Sequence, residues 1–378
     1  MTDLAEFEAL GLYDPAAADA DDRRALLEWM LARGISVDDV AGVLRRRRSI
    51  TAVAGDLVLR SSDRLSAAEV ADRTGLPVET IRRISLAVGL PVDGDEPGFT
   101  ASDVQMIELF GAGGELFGEV ALEHFLRVVG SSLARIADAA GSLFLAEVEA
   151  PLAAAEAGEL ALAQANLEAI QMLTPLRQVM DSLFLAHMEQ AIIRSEAARE
   201  HSTSLVTGYL CVGFVDLVGF TQLSQQLPVA ELRTLVDDFE SAAYDVVGTR
   251  GGRVVKLIGD EVMFVTVDPE AACEIGLALL ERFGDDTAVM PRGALALGEV
   301  LTRGGDYYGT VVNLASRVAD LAVPREILAT DELRERVEAG ASGVTFTPAG
   351  RRMLKGFDDP VELFALGPAP GQSGAGAR

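Results

Sequence analysis

The first 200 residues carry apolar side chains three and four residues apart, which is the spacing of an amphipathic helix. Examples are the segment 24–32, RALLEWMLA, and the long Ala- and Leu-rich stretches at 147–172 and 176–198. Residues 65–90 predict two shorter helices, because a Gly-Leu-Pro turn at 75–77 interrupts their pattern. The spacing therefore predicts an all-α N-terminal half that contains a helix-turn-helix-like segment.

A different pattern begins after the polar stretch at 201–208, HSTSLVTG. Apolar and β-branched runs now alternate with helical spacing, and Gly259 and Asp260 join two such runs into a hairpin. In chain order, the pattern predicts a strand at 209–215, a helix at 229–247, a hairpin at 253–267, a helix near 270–283, a strand near 293–302 and a helix at 310–321. The order β-α-β-β-α-β is typical of a ferredoxin-like sheet with helices on one face, so the predicted fold class is α+β.

These changes of pattern divide the chain into four predicted segments. They are a helical N-terminal domain at 1–200, a linker at 201–207, an α+β domain at 208–366 and a C-terminal tail at 367–378. The tail reads GPAPGQSGAGAR. Because such small and polar residues bury little apolar surface, the tail is predicted to be disordered.

The chain is strongly acidic, with a net charge of −26 at pH 7. Nucleic acids and anionic lipids are held largely by Lys and Arg, so this charge predicts no nucleic-acid partner. The helix-turn-helix-like segment resembles that of winged-helix regulators, in which Arg82 and Arg83 would contact DNA. However, residues 61–103 contain four Arg against eight Asp and Glu, which favours a helical packing unit over a DNA-binding one.

The sequence also predicts a compartment. The two cysteines, Cys211 and Cys273, lie in apolar segments and form no disulfide framework, which is typical of a reducing compartment. The N-terminus lacks the basic start and apolar core of a signal peptide. No run of about 18 uncharged apolar residues predicts a membrane span. We therefore expect a cytoplasmic protein.

Two acidic residues end apolar strands of the predicted sheet. Asp216 follows the strand at 209–215, and Asp260 lies in the turn of the hairpin. Two carboxylates brought together in this way repel one another unless a cation neutralises them, and Mg²⁺ or Mn²⁺ suits such oxygen ligands. A single turn aspartate is commonly just solvated, but two that end strands of one sheet predict a divalent-metal site.

Lys256 is unusual because the chain contains only two lysines among its 32 Lys and Arg residues. It lies within a predicted strand, where a buried charge needs a partner or a use. Further along, Asn313 and Arg317 are four residues apart and so share one face of a predicted helix, and Asp306 precedes that helix. An amide beside a guanidinium suits a sugar oxygen and a phosphate.

Together, these three segments resemble the catalytic domain of the class III nucleotidyl cyclases over about residues 205–366. The resemblance implies that Asp216 and Asp260 bind two Mg²⁺ or Mn²⁺ ions per active site, with the Leu217 carbonyl as a further ligand. The other roles that it implies are purine recognition by Lys256 and Asp306, ribose orientation by Asn313 and stabilisation of the phosphoryl transition state by Arg317.

The hydrogen-bonding capacity of two of these residues selects the purine. Lysine only donates hydrogen bonds and ionised aspartate only accepts them. Lys256 and Asp306 therefore complement the ring N1 and the exocyclic amino group of adenine. Guanylyl cyclases of this family typically carry Glu and Cys, or another small polar residue, at these positions. The pair predicts ATP as the substrate, converted to 3′,5′-cyclic AMP and pyrophosphate.

The resemblance also implies further substrate contacts and an assembly. The additional substrate-binding residues would be Arg292, Lys355 in a C-terminal strand, Phe220 and Thr221. The assembly would be a homodimer with shared active sites, in which the metal-binding aspartates of one chain serve ATP held by the purine and ribose residues of the other.

The helical half resembles the regulatory domain of soluble actinobacterial adenylyl cyclases, which implies that it adjusts the activity of the catalytic domain. Two kinds of signal stay open. One is an apolar small molecule bound among the helices at 101–200. The other is a change of charge on His124, His187 or His201, because histidine titrates near neutral pH.

Two other functions stay open on the sequence alone. A diguanylate cyclase shares the ferredoxin-like core, and residues 258–262, IGDEV, partly match its Gly-Gly-Asp-Glu-Phe turn. That function leaves four residues without a role: Lys256, Asp306, Asn313 and Arg317. A non-enzymatic regulator with a winged-helix-like domain is the second alternative, and it is disfavoured because no catalytic position is lost.

Overall fold

The structure is a computed structural model that describes residues 3–44, 49–59, 64–92, 97–204, 206–283, 289–339 and 343–369. The chain forms two compact units, Met1–Leu185 and Ala186–Arg378. The division lies inside the last helix of the N-terminal half, ahead of the linker predicted at 201–207. Each unit is described by itself below.

The first unit is helical, as the spacing of its apolar residues predicted, with one isolated β-bridge between Leu65 and Phe99. Its α-helices, together with one that continues into the second unit, are α1 (Asp3–Ala9), α2 (Ala20–Leu31), α3 (Val37–Leu44), α4 (Val53–Leu59), α5 (Ala67–Thr74), α6 (Val78–Ala87), α7 (Ala101–Phe117), α8 (Glu119–Phe144), α9 (Ala150–Ala154), α10 (Glu159–Gln171) and α11 (Leu173–Arg199). A short 3₁₀ turn, Ile50–Ala52, precedes α4, and a π-helical segment, Leu145–Glu149, joins α8 to α9.

The helix-turn-helix-like segment is confirmed as helices α5 and α6. Helix α5 begins at a capping box, in which the Ser66 hydroxyl accepts from the Glu69 N–H and the Glu69 carboxylate accepts from the Ser66 N–H. It ends at Gly75, whose φ of +72° lies in the left-handed region that glycine adopts without strain. Pro77 then precedes α6. Local chemistry alone accounts for this turn.

Arg83, one of the two arginines proposed for DNA contact, is engaged by acidic residues instead. Its guanidinium lies 2.9 Å from the carboxylate of Glu119 and 3.9 Å from that of Glu123, both on α8. These carboxylates would repel a phosphate backbone. A groove of about 330 Å³ opens beside them, lined by apolar residues that include Leu76 and Phe110. This groove, which charged residues of α6 and α8 also line, is one described place for the predicted apolar ligand.

The prediction of one continuous helix over 147–172 is wrong. Helix α9 ends at Ala154, and α10 begins only at Glu159. Between them, Glu156 adopts a φ of +53°, which is unfavourable for a residue with a side chain and cannot continue a right-handed helix. The apolar period runs through this break because both helices have apolar faces, so the spacing alone did not reveal it.

One stretch, Glu119–Ala154, is long and apolar enough to cross a membrane by length and composition, whereas the sequence pattern predicted no span. Within the described structure, 6% of its most apolar window is buried. Because the test uses length and composition only, one such helix is weak evidence for a span. Its exposed apolar side chains include Phe125, Leu133 and Ile136.

The second unit contains the whole β-sheet and the helices packed on it. Its strands are β1 (Thr207–Val218), β2 (Arg253–Ile258), β3 (Glu261–Thr266), β4 (Met290–Arg303), β5 (Asp306–Tyr308), β6 (Ile327–Thr330), β7 (Val344–Arg352) and β8 (Val361–Pro368). Its helices are α12 (Phe220–Ser224), α13 (Val229–Thr249), α14 (Pro269–Arg282), α15 (Thr310–Ala319) and α16 (Asp331–Glu338).

The eight-stranded sheet has the order β2-β3-β1-β4-β6-β8-β7, and β5 pairs with β4 outside this path. The neighbours β2-β3-β1-β4 are all antiparallel, which is the ferredoxin-like core that the element order predicted. The predicted placement of helices on one face is wrong. Phe239 of α13, Ile275 of α14 and Leu333 of α16 pack on one face, whereas Ala315 and Val318 of α15 pack on the other.

Two predictions about the C-terminal end need correction. Strand β8 continues to Pro368, so the tail does not begin at residue 367. The rest of the predicted tail, from residue 370, lies outside the described residues. Lys355 was expected in a strand, but β7 ends at Arg352 and Lys355 is exposed in the connection to β8. The glycine and aspartates around it favour a turn over a strand.

The polar stretch between α11 and β1 is held on the sheet by one carboxylate. Glu299 of β4 accepts hydrogen bonds from the Thr203 N–H at 2.5 Å, the Thr203 hydroxyl at 2.7 Å and the Ser202 hydroxyl at 3.2 Å. The bond from the Thr203 N–H, followed by those from the hydroxyls, lowers the pKa of Glu299. The predicted linker is therefore held to β4 of the sheet.

Of the three histidines, His201 lies within this clamped stretch. Its Nε2 is 2.7 Å from Nη2 of Arg336 on α16, and its ring meets that of Tyr209 edge-on at 6.4 Å. His124 lies on α8 and His187 on α11. Nδ1 of His124 likewise lies 3.5 Å from Nη1 of Arg127, so an arginine contact does not single out one histidine for the proposed charge switch.

We expect the Glu299→Gln substitution to loosen the stretch at 200–207. An amide accepts more weakly than a carboxylate and carries no charge, so the bonds from Thr203 and Ser202 weaken. Hydrogen–deuterium exchange followed by mass spectrometry should show severalfold faster exchange there. Glu362→Gln, at an exposed position on β8, is the matched control and should leave that exchange unchanged. Equal protection in both variants would show that the clamp contributes nothing.

Candidate active site

Asp216 lies near the end of β1, where two neighbouring strands place charged residues directly beside it. Its Cα pairs with Glu261 of β3 on one side and with Arg292 of β4 on the other. Directly opposed residues project to the same face of a sheet, so three charged side chains converge there. Nε of Arg292 lies 2.9 Å from Oδ1 of Asp216, and Nη2 lies 3.1 Å from Oδ2. Both side chains remain about one-quarter exposed.

Asp260 lies in the two-residue turn between β2 and β3, as the sequence predicted. Gly259 takes a φ of +65°, the left-handed conformation that a tight hairpin requires. The Leu217 N–H donates to the Asp260 carbonyl at 3.2 Å, which ties this turn to the end of β1. The turn thus brings Asp260 to the peptide next to Asp216, and Leu217 itself is buried.

The carboxylates at this edge outnumber the nearby cations. Burial first, and then the charge of Asp216, raises the pKa of Asp260. Burial, followed by the charges of Asp216, Asp320 and Asp260, raises the pKa of Glu261 to about 7. Arg292 is the one cation that opposes these shifts for both groups. The arrangement is electrostatically short of positive charge, which a bound divalent cation would supply.

The donor set fits a hard divalent cation that is only partly enclosed by protein. Within the described ranges, no group of three or more His, Cys, Asp or Glu residues is arranged to hold a metal ion. Asp216 and Asp260 supply two carboxylates beside each other, and Mg²⁺ is commonly bound by one or two carboxylates together with substrate phosphates and water. The residues present therefore fit Mg²⁺ or Mn²⁺ completed by a phosphate-bearing substrate.

Lys256 and Asp306 are 50 residues apart in the chain but form an ion pair in the structure. Nζ of Lys256 lies 2.6 Å from Oδ2 of Asp306, and both side chains are about one-third exposed. A β-bulge in β2 shifts the register between Val254 and Lys256. Lys256 consequently pairs with Met263, and its side chain projects to the face that also carries Asp216.

Two residues that the sequence did not single out support this pair. Arg253 donates to the Tyr307 hydroxyl at 3.3 Å and to the Gly305 carbonyl at 3.3 Å, and its guanidinium lies 5.9 Å from the Tyr307 ring centroid. Tyr307 is buried and donates its N–H to Oδ1 of Asp306 at 2.8 Å. These contacts fix the β4–β5 turn and orient the Asp306 carboxylate. No feature of the sequence indicated that Arg253 and Tyr307 support the pair, because no local pattern predicts that β5 folds back along β4.

Asn313 and Arg317 both lie on the exposed side of α15, which confirms that they share a face. Ala315 and Val318, on the other side, are buried against the sheet. Arg317 makes a loose ion pair with Asp320, at 3.8 Å. Such exposed i,i+3 pairs contribute little, so the guanidinium is available for a ligand.

The predicted site residues form two groups within one chain. Asp216, Asp260 and Arg292 lie together where β1, the β2–β3 turn and β4 meet. Lys256 pairs with Asp306 elsewhere on the same face of the sheet. Among the described residues, no ion pair or hydrogen bond joins these two groups. Phe220 packs partly buried against the core beneath β1. The side chain of Thr221 lies outside the described parts of the chain, and Lys355 is exposed.

Comparisons with known proteins cover nearly the whole chain. Residues 6–192 match the family described as adenylate cyclase regulatory domain. An uncharacterized protein of Mycobacterium tuberculosis is 34% identical over 373 residues, which are 97% of this chain and 95% of that protein. An adenylate cyclase of Streptomyces coelicolor is 32% identical over 327 residues, which are 82% of this chain and 83% of that enzyme.

Two further similarities complete this result. A pH-sensitive adenylate cyclase of Mycobacterium tuberculosis is 29% identical over 374 residues, which are 94% of this chain and 90% of that enzyme. The crystal structure of the adenylyl cyclase CyaB from P. aeruginosa is 25% identical, covers 44% of this chain and 98% of its own, and superposes with a TM-score of 0.40.

Proposed function

Because the chain belongs to the class III adenylate cyclases with an N-terminal regulatory domain, we propose that it converts ATP to 3′,5′-cyclic AMP and pyrophosphate at sites shared by two copies of the chain. Membership in this family sets aside the non-enzymatic regulator and the diguanylate cyclase. The observation that carries the proposal is the ion pair of Lys256 and Asp306 on the same sheet face as Asp216.

Asp216 and Asp260 are the residues that would hold two Mg²⁺ or Mn²⁺ ions, with the Leu217 carbonyl as an additional ligand. When bound, the cations would supply Lewis-acid activation of the ribose 3′-OH and neutralisation of the leaving pyrophosphate. The excess of carboxylates described above supports this assignment, because Arg292 supplies one positive charge beside Asp216, Asp260 and Glu261.

The remaining residues of the site would position the substrate for in-line attack of the 3′-OH on the α-phosphorus. Asn313 offers an amide donor and acceptor to the ribose. Arg317 presents a planar, permanently charged guanidinium to the phosphoryl oxygens as their negative charge develops. We assign no side chain as a general base. Positioning and charge stabilisation contribute most of the catalysis in phosphoryl transfer.

The purine specificity rests on the directions of two hydrogen bonds. The Lys256 ammonium would donate to adenine N1, and the Asp306 carboxylate would accept from the N6 amino group. Guanine presents a donor at N1 and an acceptor at O6, so it would oppose both groups. The ion pair is partially exposed, and Tyr307 and the β4–β5 turn hold Asp306 in place. The two side chains are therefore preorganised to replace their contact with each other by hydrogen bonds to adenine.

Incubation of the purified full-length protein with ATP and Mn²⁺ tests the proposal directly. We expect 3′,5′-cyclic AMP and pyrophosphate in equal amounts, and far less cyclic product from GTP. Chromatography with mass spectrometry identifies both products. Release of ADP and phosphate without a cyclic product would contradict the assigned reaction.

We expect Lys256→Ala to lower kcat/KM for ATP by about 10- to 100-fold, because the adenine N1 acceptor and the Asp306 carboxylate both lose their partner. The preference for ATP over GTP should shrink by a similar factor. Steady-state assays with both nucleotides measure the two ratios. Arg282→Ala, which removes an exposed cation on α14, is the matched control and should change neither ratio. An unchanged preference in Lys256→Ala would exclude purine recognition by this residue.

The partners and setting follow from the same proposal. ATP and a second copy of the chain are the partners, and an apolar ligand of the helical unit is a further one that the groove near Leu76 and Phe110 supports. We place the enzyme in the cytoplasm. Cys211 and Cys273 are buried free thiols, which suit a reducing compartment.

A further inference from the structure

Arg292 holds the carboxylate of Asp216 more completely than an ordinary surface ion pair does. Its Nε lies 2.9 Å from Oδ1 and 3.2 Å from Oδ2, and its Nη2 lies 3.1 Å from Oδ2. The remaining arm of the guanidinium is also engaged. Nη1 donates to the carbonyl of Ala322 at 3.1 Å and to that of Asp320 at 3.3 Å. Every arm of the fork is therefore occupied, and both carboxylate oxygens accept from it.

We propose that Arg292 is an internal counter-ion that occupies Asp216 in the metal-free enzyme and is displaced when a divalent cation binds there. The proposal rests on the proposed function, because it takes Asp216 as a metal ligand. A carboxylate whose two oxygens both accept from a guanidinium has fewer lone pairs for a cation, and the positive charge beside it repels the incoming one. Arg292 therefore lowers the affinity of the nucleotide-free site for metal.

This exchange would link metal binding to triphosphate binding. The backbone carbonyls of Asp320 and Ala322 accept only from Nη1, so they can retain one arm of the guanidinium while its other arms leave Asp216. The freed arms are suited to bidentate contact with phosphate oxygens. Phosphate oxygens then stabilise Arg292 away from Asp216, so nucleotide should strengthen metal binding, and metal should strengthen nucleotide binding by the same factor.

The first experiment measures Mn²⁺ binding to the full-length protein by electron paramagnetic resonance, without nucleotide. We expect Arg292→Gln to bind Mn²⁺ at least about tenfold more tightly than the wild type, since a cation beside the ligand is removed. Arg292→Lys keeps the charge but loses the fork, and its affinity should fall between the two. Asp216→Asn should lose the site. A purely structural Arg292 would instead loosen the site when replaced.

The outcomes separate this proposal from the proposed function. Tighter Mn²⁺ binding in Arg292→Gln, with loss in Asp216→Asn, supports both. Unchanged or weaker binding in Arg292→Gln, with loss in Asp216→Asn, overturns the counter-ion role and leaves the metal site intact. Unchanged binding in Asp216→Asn overturns the metal assignment itself, and the counter-ion role with it.

A second experiment needs no variant and therefore does not depend on a substituted chain folding. Phenylglyoxal modifies accessible guanidinium groups, and peptide mass spectrometry reports each arginine separately. In the wild type, labelling of Arg292 should rise when Mn²⁺ is added and fall when a non-reactive ATP analogue follows. Arg334, which pairs with Asp331 and Glu338 on its own helix, is the internal reference and should not respond. Labelling of Arg292 that ignores Mn²⁺ would overturn the displacement.

Discussion

Replacing Asp216 with asparagine is expected to reduce cyclic AMP formation by at least about 100-fold, because a metal ion contributes several kcal/mol to such a reaction. The change removes one negative charge and keeps the shape of the side chain. The remaining oxygen can still accept from Arg292, so the junction of β1 and β4 should stay folded. Asp260→Asn is expected to have an effect of the same order, since the hairpin turn brings it beside Asp216.

The measurement is the initial rate with saturating ATP and Mn²⁺, together with the melting temperature of each variant. Asp245→Asn is the matched control, because it makes the same change at an exposed position on α13, a helix that packs on the opposite face of the sheet. Its rate should equal that of the wild type. A folded Asp216→Asn enzyme with more than about a tenth of the wild-type rate would exclude Asp216 as a required metal ligand.

Mixing two inactive variants should restore activity if the sites are shared between chains. Asp216→Ala lacks the metal-binding half, and Asn313→Ala lacks the ribose-binding half. In a heterodimer of the two, one site contains both defects and the other contains none. Random exchange makes half of the dimers mixed, so about one-quarter of the wild-type activity is expected in a symmetric dimer with two sites. Sites contained within one chain would give no recovery.

The structure supports this expectation through the direction of α15. Asn313 and Arg317 lie on its exposed side, whereas Ala315 and Val318 face the sheet of the same chain. A matched mixture of Asp216→Ala with Asp260→Ala controls for exchange itself, since both changes lie in the metal-binding half and no intact site can form. Two different affinity tags verify the heterodimer. Recovery in this control, or none in the first mixture, would contradict shared sites.

Much of the second unit could be predicted from local sequence. The hairpin turn at Gly259 and Asp260, the strand that carries Asp216 and the helix that carries Asn313 and Arg317 all lie where the pattern placed them. These features depend on neighbouring residues, such as alternation along a strand or a glycine at a left-handed turn. Apolar spacing continued through the break near Glu156 and concealed it. The strand expected at Lys355 came from the family likeness, although the glycine and aspartates around Lys355 favour a turn.

The sequence by itself determined which chemical groups the site contains and which short elements carry them. Only the tertiary structure decided which of these groups meet. The pairing of Asp216 with Arg292 depends on the register between β1 and β4, which are separated by two strands and three helices in the chain.

The pairing of Lys256 with Asp306 depends on a bulge in β2 and on β5 folding back along β4. Without the bulge, Lys256 would project to the opposite face, because side chains alternate along a strand. Register and bulges are set by hydrogen bonds and packing between distant segments. No local pattern contains that information, so residue identities predicted the chemistry of the site and the folded sheet determined its geometry.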